Sequence, residues 1–435
     1  IEIEMSDQQI DEQQQQQQQL PPKPVWTTHK LNKEHELRFE VDKEAKLKLT
    51  KGTAEYFGTE LAVNREYTLC ANARGAVFTW SGCELEMSVG VRTYIANETP
   101  MLAYSKIHKD IDNHRTAVID TRDQGPRVLI AGPTDVGKST LCKILLGYSA
   151  RLGFAPCFVD LDPGQGGVTL PGALCATIVD KPVDIEEGLS NSVPFVQFYG
   201  HTSLDLNPNL YKAQIQSLAL SIDKRCEKDN NARVSGIVVN TCGWIEGLGY
   251  EVLRTSITLL RINMIVVIDN EKLYSELARE YSSPEMKVMK LPKSGGVFLR
   301  SSTFRKNTRN LRIREYFYGM LGDLCPHITI VDFKDVVIYR TGGGPAAPLS
   351  ALPIGATSAM DPLQLQEISP SLDMLHSILA VSYAKNAQGI LNSNVAGFLY
   401  VKDVNMETKR ITVLAPCPGD LPTKFLLMGT LKWLE

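Results

Sequence analysis

The chain has 435 residues, of which 43% are hydrophobic and 22% charged, with a formal net charge of −3. That length exceeds what one hydrophobic core organises and points to roughly two or three domains, and the near-neutral balance excludes global attraction to nucleic acid, so a polyanion site has to be a local patch. No stretch approaches the ~18 apolar residues of a membrane-spanning helix, and nine scattered cysteines without C-x-x-C spacing speak against a zinc site or a disulfide framework and for a reducing compartment.

Residues 1–24 carry seven consecutive glutamines, Gln13 to Gln19, followed by Leu20-Pro21-Pro22-Lys23-Pro24. Such a segment cannot bury a core and is expected to form a disordered tail. Its start is acidic and then glutamine-rich, without the pattern of a secretory leader, and Met5 stands as a candidate for the natural start. From about Thr27 to Pro100 the apolar positions alternate with charges: Leu37, Phe39 and Val41, then Leu47 and Leu49, then Leu85, Met87 and Val89. Turn residues punctuate at Lys51-Gly52, Asn64-Arg65 and Ser81-Gly82. This predicts a small antiparallel β domain over 25–115, with a polar helical connector at about 106–124.

The central part, 116–325, alternates apolar runs with helical patterns. Strands are predicted at 128–131, 157–161, 195–199, 237–240 and 264–269, and Tyr211, Ile215, Leu218 and Ile222 mark one face of a helix. Near-continuous apolar strands separated by helices imply a parallel sheet covered on both faces. After His327 the β pattern returns at 336–339, 397–401, 411–414 and 425–428, with proline and glycine loops such as Gly342-Gly343-Gly344-Pro345. The fold class is therefore α/β: a central parallel-sheet domain flanked by N-terminal and C-terminal β-rich domains, the last over 326–435.

The most informative segment is Gly132-Pro133-Thr134-Asp135-Val136-Gly137-Lys138-Ser139-Thr140. It has every fixed position of the phosphate-binding loop G-x-x-x-x-G-K-S-T, with a strand before it and a helix after it. Small residues let backbone N–H groups curl around a triphosphate, and the helix N-terminus turns its positive dipole end toward that charge. Lys138 reaches the β- and γ-phosphates, and the Ser139 hydroxyl serves Mg²⁺. Ligands of parallel sheets bind at the carboxyl ends of strands, and the next strand ends in Asp160-Leu161-Asp162-Pro163-Gly164-Gln165. A carboxylate there holds hydrated Mg²⁺ or takes the proton of an attacking hydroxyl. Asp162, nearer the strand end, is the better candidate than Asp160; the competing reading makes either one a turn cap.

Between Lys287 and Arg314 lie nine basic residues and no acidic one, around the hinge-like Lys293-Ser294-Gly295-Gly296. That composition suggests a lid whose arginines neutralise charge during phosphoryl transfer, a nucleic-acid backbone contact, or simply a solvated basic helix face. Thr241-Cys242-Gly243-Trp244 follows the strand 237–240, so Trp244 is either a base-stacking platform or a core tryptophan. The seven histidines are dispersed, and no serine or cysteine hydrolase triad is visible.

Together the loop, Leu161-Asp162-Pro163-Gly164-Gln165, Asn240-Thr241-Cys242-Gly243-Trp244 and Leu291-Pro292-Lys293-Ser294-Gly295-Gly296 resemble the polyribonucleotide 5′-hydroxyl kinase family. That family includes the kinase subunit of the pre-mRNA 3′-end cleavage complex, which in animals also associates with tRNA splicing endonuclease. Phe57-Gly58-Thr59-Glu60-Leu61 and the segment Arg312 to Gly319 are similar to family segments too, and the similarity runs from about Leu37 to the C-terminus. The resemblance implies a central P-loop kinase domain, transfer of phosphate from ATP to the 5′-hydroxyl of RNA, dependence on Mg²⁺, cleavage-complex subunits and tRNA splicing endonuclease as partners, and a nuclear location without membrane attachment. By position, Asp135, Val136, Gly137, Lys138, Ser139 and Thr140 would embrace the triphosphate, with Ser139 and Asp162 at the metal. Asp162 would activate the hydroxyl, and Arg300 and Arg305 would be lid arginines. Glu36 and Arg74 would hold the adenine nucleotide, and Trp244, Thr241 and Gln165 would meet the RNA.

Three alternatives compete. An ATP-binding scaffold of the cleavage complex without turnover is one, but the loop, Asp162, Trp244 and both arginines are present. A GTPase or motor-type ATPase is another, and the absence of an [NT]-K-x-D motif from the chain weighs against the former. A small-molecule kinase fits the basic segment and Trp244 less well than a polymeric acceptor does.

Overall fold

The computed structural model describes residues 25–189, 193–341 and 363–434. The expected tail 1–24 and the Gly342-Gly343-Gly344-Pro345 loop lie outside the described residues.

The period-two alternation near the N-terminus builds two antiparallel sheets around one core. One sheet has the order Trp26–Leu31, Cys83–Ser88, Ala45–Gly52, Glu66–Leu69. The other has the order Thr59–Glu60, Glu55–Tyr56, Arg74–Thr79, His35–Glu40, Arg92–Ala96. Leu37, Leu47, Leu49, Val77 and Leu85 are fully buried between them. The alternate positions carry charge, and Lys48 pairs across strands with Glu86 at 2.8 Å, as expected for half-buried strands.

The connector forms the helix Met101–Val118, starting and ending about a turn earlier than its composition suggested. Its buried face, Tyr104, Ile107 and Ile111, shares one core with Phe78 of the sandwich and with Ile144 and Leu145 of the helix Lys138–Arg151. The sandwich is thereby fixed beside the phosphate loop.

The central sheet runs Phe195–Phe198, Ala173–Ile178, Cys157–Asp160, Ile237–Asn240, Arg127–Ala131, Met264–Ile268, Lys287–Leu291. From Cys157–Asp160 to Lys287–Leu291 every pairing is parallel, and Met264–Ile268 is buried throughout, which is why these strands read as unbroken apolar runs. Two strands depart from expectation. Ala173–Ile178 runs antiparallel to both neighbours, so the sheet is mixed. Lys287–Leu291 is an edge strand: Lys287 donates to Asp110 at 2.6 Å and Lys290 pairs with Glu271. These two lysines belong to the sheet, so the basic segment outside it is shorter than its composition implied.

The C-terminal sheet runs His327–Asp332, Arg410–Ala415, Val395–Asn405, Ser377–Ser382, Phe425–Lys432, Val337–Thr341, Leu365–Ile368. It packs on the antiparallel part of the central sheet. Ala173, Val196 and Phe198 share a core with Ile378, Phe398 and Trp433, and Ile313 and Phe317 of the helix Ser302–Tyr318 complete it. Gly200 and Gly429 bring the two backbones together: a Cβ on Gly200 would lie 2.9 Å from Gly429 Cα, and the Thr430 N–H donates to Gly200 O at 2.8 Å. The helix Ser302–Tyr318 is held from behind by this sheet, with its N-terminal end left at the phosphate loop.

Candidate active site

The strand Arg127–Ala131 delivers the chain into a loop where Gly132, Asp135 and Gly137 have φ of 148°, 56° and 94°. Gly132 has no substitute, since a Cβ there would stand 2.5 Å from Ile268 O, and Gly137 supplies the left-handed turn that starts the helix Lys138–Arg151. Lys138 is 7% exposed, and its Nζ donates to the loop's own carbonyls, Gly132 O at 3.0 Å and Pro133 O at 2.6 Å. Burial lowers its pKa, and Asp162 pulls it partly back.

The two aspartates at the end of the strand Cys157–Asp160, Asp160 within it and Asp162 just beyond, have different surroundings. Asp160 is 4% exposed and accepts from Asn240 Nδ2 at 2.9 Å, Asp162 N–H at 3.1 Å and Gly167 N–H at 3.1 Å. It organises the loop that follows. Burial raises its pKa, against those hydrogen bonds. Asp162 has one such bond, from Gly164 N–H at 3.0 Å, and lines the cleft with Lys138 and Ser139. Burial, and then the charge of Asp160, push its carboxyl up to about 6. Asn240 links the pair to the loop: its Oδ1 accepts from Ser139 Oγ at 3.4 Å while its amide holds Asp160.

Arg300 and Arg305 converge on the loop. Asp135 Oδ2 accepts from the Arg300 backbone N–H at 2.9 Å and from Arg305 Nη2 at 2.7 Å, and Arg300 Nη1 donates to Gln165 Oε1 at 3.1 Å. Burial alone would raise the Asp135 pKa, but the Arg300 amide and the Arg305 guanidinium outweigh it and hold the group below the usual carboxylate range.

Above the loop, the cleft is a cavity of about 450 Å³ between the five-stranded N-terminal sheet and residues 294–300. Glu36 and Arg74 both line it, and both are already engaged. Glu36 is buried and accepts from Arg38 Nε at 2.5 Å and Thr99 Oγ1 at 2.8 Å. Arg74 pairs with Glu40 and lies 3.7 Å from the Phe298 ring centroid. Gly295 and Gly296 lie against the Arg38 guanidinium, where a Cβ on Gly295 would sit 3.1 Å from Arg38 Nη1.

On the other side of the loop, Gly243 packs so tightly that a Cβ would lie 2.5 Å from Thr134 N. The next residue, Trp244, is 39% exposed. Its indole rests on Gly249, where a Cβ would be 2.7 Å from Trp244 Cγ. Thr241 is buried, and its hydroxyl donates to Ile130 O at 2.7 Å. It ties two strand ends together and does not line the cleft.

Family models match the chain in three consecutive blocks. Residues 30–118 match the N-terminal beta-sandwich domain of polyadenylation factor, residues 132–319 the mRNA cleavage and polyadenylation factor CLP1 P-loop, and residues 324–435 the pre-mRNA cleavage complex II protein Clp1. The chain is 55% identical over 414 residues to the Protein CLP1 homolog of Dictyostelium discoideum, covering 94% of this chain and 90% of that one. The chain belongs to the Clp1 family. It is also 43% identical over 417 residues to the polyribonucleotide 5′-hydroxyl-kinase Clp1 of Homo sapiens, covering 95% and 97% of the two chains. A solved structure, that of the wild-type Clp1p–Pcf11p (454–563) complex, superposes with a TM-score of 0.82 at 25% identity, over 95% of this chain and 99% of that one.

In this Clp1-family chain the Ser139 hydroxyl and the Asp162 carboxylate both line the cleft and are hard oxygen donors of the kind Mg²⁺ takes. No cluster of three or more His, Cys, Asp or Glu suited to a metal occurs among the described residues. One or two protein oxygens completed by phosphates and water is the usual way to hold Mg²⁺, so the donor set fits. Sequence reasoning did not single out Asn240, Arg38 or Phe298 for these positions. Asn240, an uncharged polar residue ending a fully apolar strand at the ligand edge of the sheet, carried a readable signal; Arg38 and Phe298 carried none without the fold.

Proposed function

We propose that this Clp1-family chain is an ATP-dependent polynucleotide 5′-hydroxyl kinase that phosphorylates RNA during mRNA 3′-end processing and tRNA splicing. The observation that carries the reading is the convergence of Lys138, the lightly hydrogen-bonded Asp162 and the two lid arginines on one loop, with an exposed Trp244 on its flank.

The triphosphate lies along the loop from Asp135 to Thr140, and the base side of the nucleotide faces the N-terminal sheet near Glu36 and Arg74. Lys138 exchanges its carbonyl partners for phosphate oxygens, which compensate its buried charge better than neutral carbonyls do. Trp244 stacks on the terminal base, and Gln165 orients Arg300. Asp162, with a carboxyl near 6, is ionised at neutral pH yet basic enough to accept the proton of the 5′-hydroxyl. The hydroxyl oxygen then bonds to the γ-phosphorus, the bond to the bridging oxygen breaks, and ADP leaves. Arg300 and Arg305 offset the charge of the transferring group. Ser139 and Asp162 would hold Mg²⁺ beside the phosphates, and the ion would supply further charge neutralisation. Cleavage-complex subunits and tRNA splicing endonuclease are the proposed partners, and the nucleus the proposed site of action.

A Lys138 tied to carbonyls would also suit an ATP-binding scaffold. The test offers equal concentrations of a 5′-hydroxyl oligoribonucleotide, the same oligomer already 5′-phosphorylated, and a free nucleoside. Phosphorylation of the first alone is expected. Transfer mainly to the nucleoside would make the chain a small-molecule kinase, and ATP binding without transfer to any acceptor would make it a scaffold.

A further inference from the structure

Asp135 occupies a position in the phosphate loop where a free carboxylate would repel a triphosphate. Its side chain is only 4% exposed, and both principal acceptances are on Oδ2: the Arg300 amide at 2.9 Å and the Arg305 guanidinium at 2.7 Å. One bond fixes backbone and the other fixes side chain, so the segment between them is pinned at two points. Ser301 then caps the helix Ser302–Tyr318 by accepting from the Phe304 N–H at 3.1 Å, and the helix is seated on the C-terminal sheet through Ile313 and Phe317. The same carboxylate is presented at φ 56°, a left-handed conformation that aspartate and asparagine adopt more readily than most residues.

We propose that Asp135 is a positioning residue: its carboxylate docks the lid on the phosphate loop and so sets where Arg300 and Arg305 stand over the transferring phosphate. Its backbone embraces the nucleotide, while its side chain serves the lid. The two arginines neutralise it, which removes the repulsion toward ATP, and the carboxylate's lowered pKa keeps the docking charge-assisted through the neutral range. The catalytic consequence rests on the kinase reading above; the docking itself does not.

The decisive variant is Asp135→Asn, which keeps shape and tolerates the left-handed backbone but removes the charge. Hydrogen exchange of the nucleotide-free full chain reads the Arg300 amide directly. Exchange at that amide is expected to accelerate about tenfold or more, while kcat falls about tenfold or more and the KM for ATP changes less than about threefold. Arg305→Gln should loosen the same amide without touching the loop, and the double variant should lose no more kcat than the worse single one. Unchanged protection at Arg300 in both variants would overturn the docking. Faster exchange with wild-type kcat would overturn the positioning role. If the wild type transferred no phosphate at all, the kinase reading would fail, and the exchange result alone would decide the docking.

Discussion

Asp162→Asn separates two demands that the cleft makes on one carboxyl. Burial and the neighbouring Asp160 push Asp162 up to about 6 from an ordinary 3.8, a shift of about 2 units. At ~1.4 kcal/mol per unit, holding the charge costs the folded state up to about 3 kcal/mol at neutral pH. Asp162 is only partly buried, and solvent screening reduces this to about 1–3 kcal/mol. Because the folded-state pKa of an acid is raised, the stability from its neutral form is fully present below pH ~4 and is lost as pH rises through about 6. Asparagine is neutral at every pH, so the variant should melt above the wild type at pH ~8, with the gap closing toward pH ~4. Catalysis should go the opposite way, with kcat falling about a hundredfold or more, the usual scale for losing a general base. In the wild type, kcat/KM at limiting ATP and RNA should drop about tenfold from its plateau to pH ~5, where about a tenth of the carboxyl is ionised, and the variant should lose this acidic limb. Thermal melts paired with pH–rate profiles check both sides. Retention of more than a tenth of wild-type turnover, or an unchanged acidic limb in the variant, would refute the reasoning.

Other perturbations test neighbouring roles. Lys138→Ala should abolish phosphorylation without lowering the melting temperature, because burial destabilises the ammonium and the loop carbonyls and the Asp162 charge offset that only in part; calorimetry beside the kinase assay checks it. Asp160→Ala should cost about 2–4 kcal/mol, seen as a melting drop of roughly 5 °C or more, since three donors lose one buried acceptor. Trp244→Ala should raise the RNA KM about ten- to a hundredfold, equally for any terminal base, with ATP affinity unchanged. A large melting drop from that last change would instead show that the indole only packs against Gly249.

The phosphate loop and the strands around it were legible because two local signals coincide. Fixed glycines supply the left-handed turns, and the runs 128–131, 237–239 and Met264–Ile268 are apolar because both faces of the sheet are covered. The position of Asp162 beyond the strand end was readable from the sequence, whereas the three hydrogen bonds that engage Asp160 were not. Less legible was whatever depends on distant segments. Ala173–Ile178 reads as a short apolar run whose direction is set only by its partner strands. Lys287 and Lys290 read as lid because an edge strand carries charge just as a solvated loop does. Thr241 looked like a ligand contact, yet its hydroxyl closes a strand end. Glu36 and Arg74 do reach the cleft, but what engages them there, Arg38 two residues along the same strand for Glu36 and the distant Phe298 ring for Arg74, is visible only in the folded chain.

The central claim is transfer of the γ-phosphate to an RNA 5′ end in this cleft. The most direct measurement incubates the full chain with ATP labelled on its γ-phosphate and a 5′-hydroxyl oligoribonucleotide, then digests the RNA to locate the label. Label confined to the 5′-terminal phosphate in the wild type, and absent with Lys138→Ala, is the predicted result. Label at any other position, or equal labelling by the Lys138→Ala variant, would contradict it.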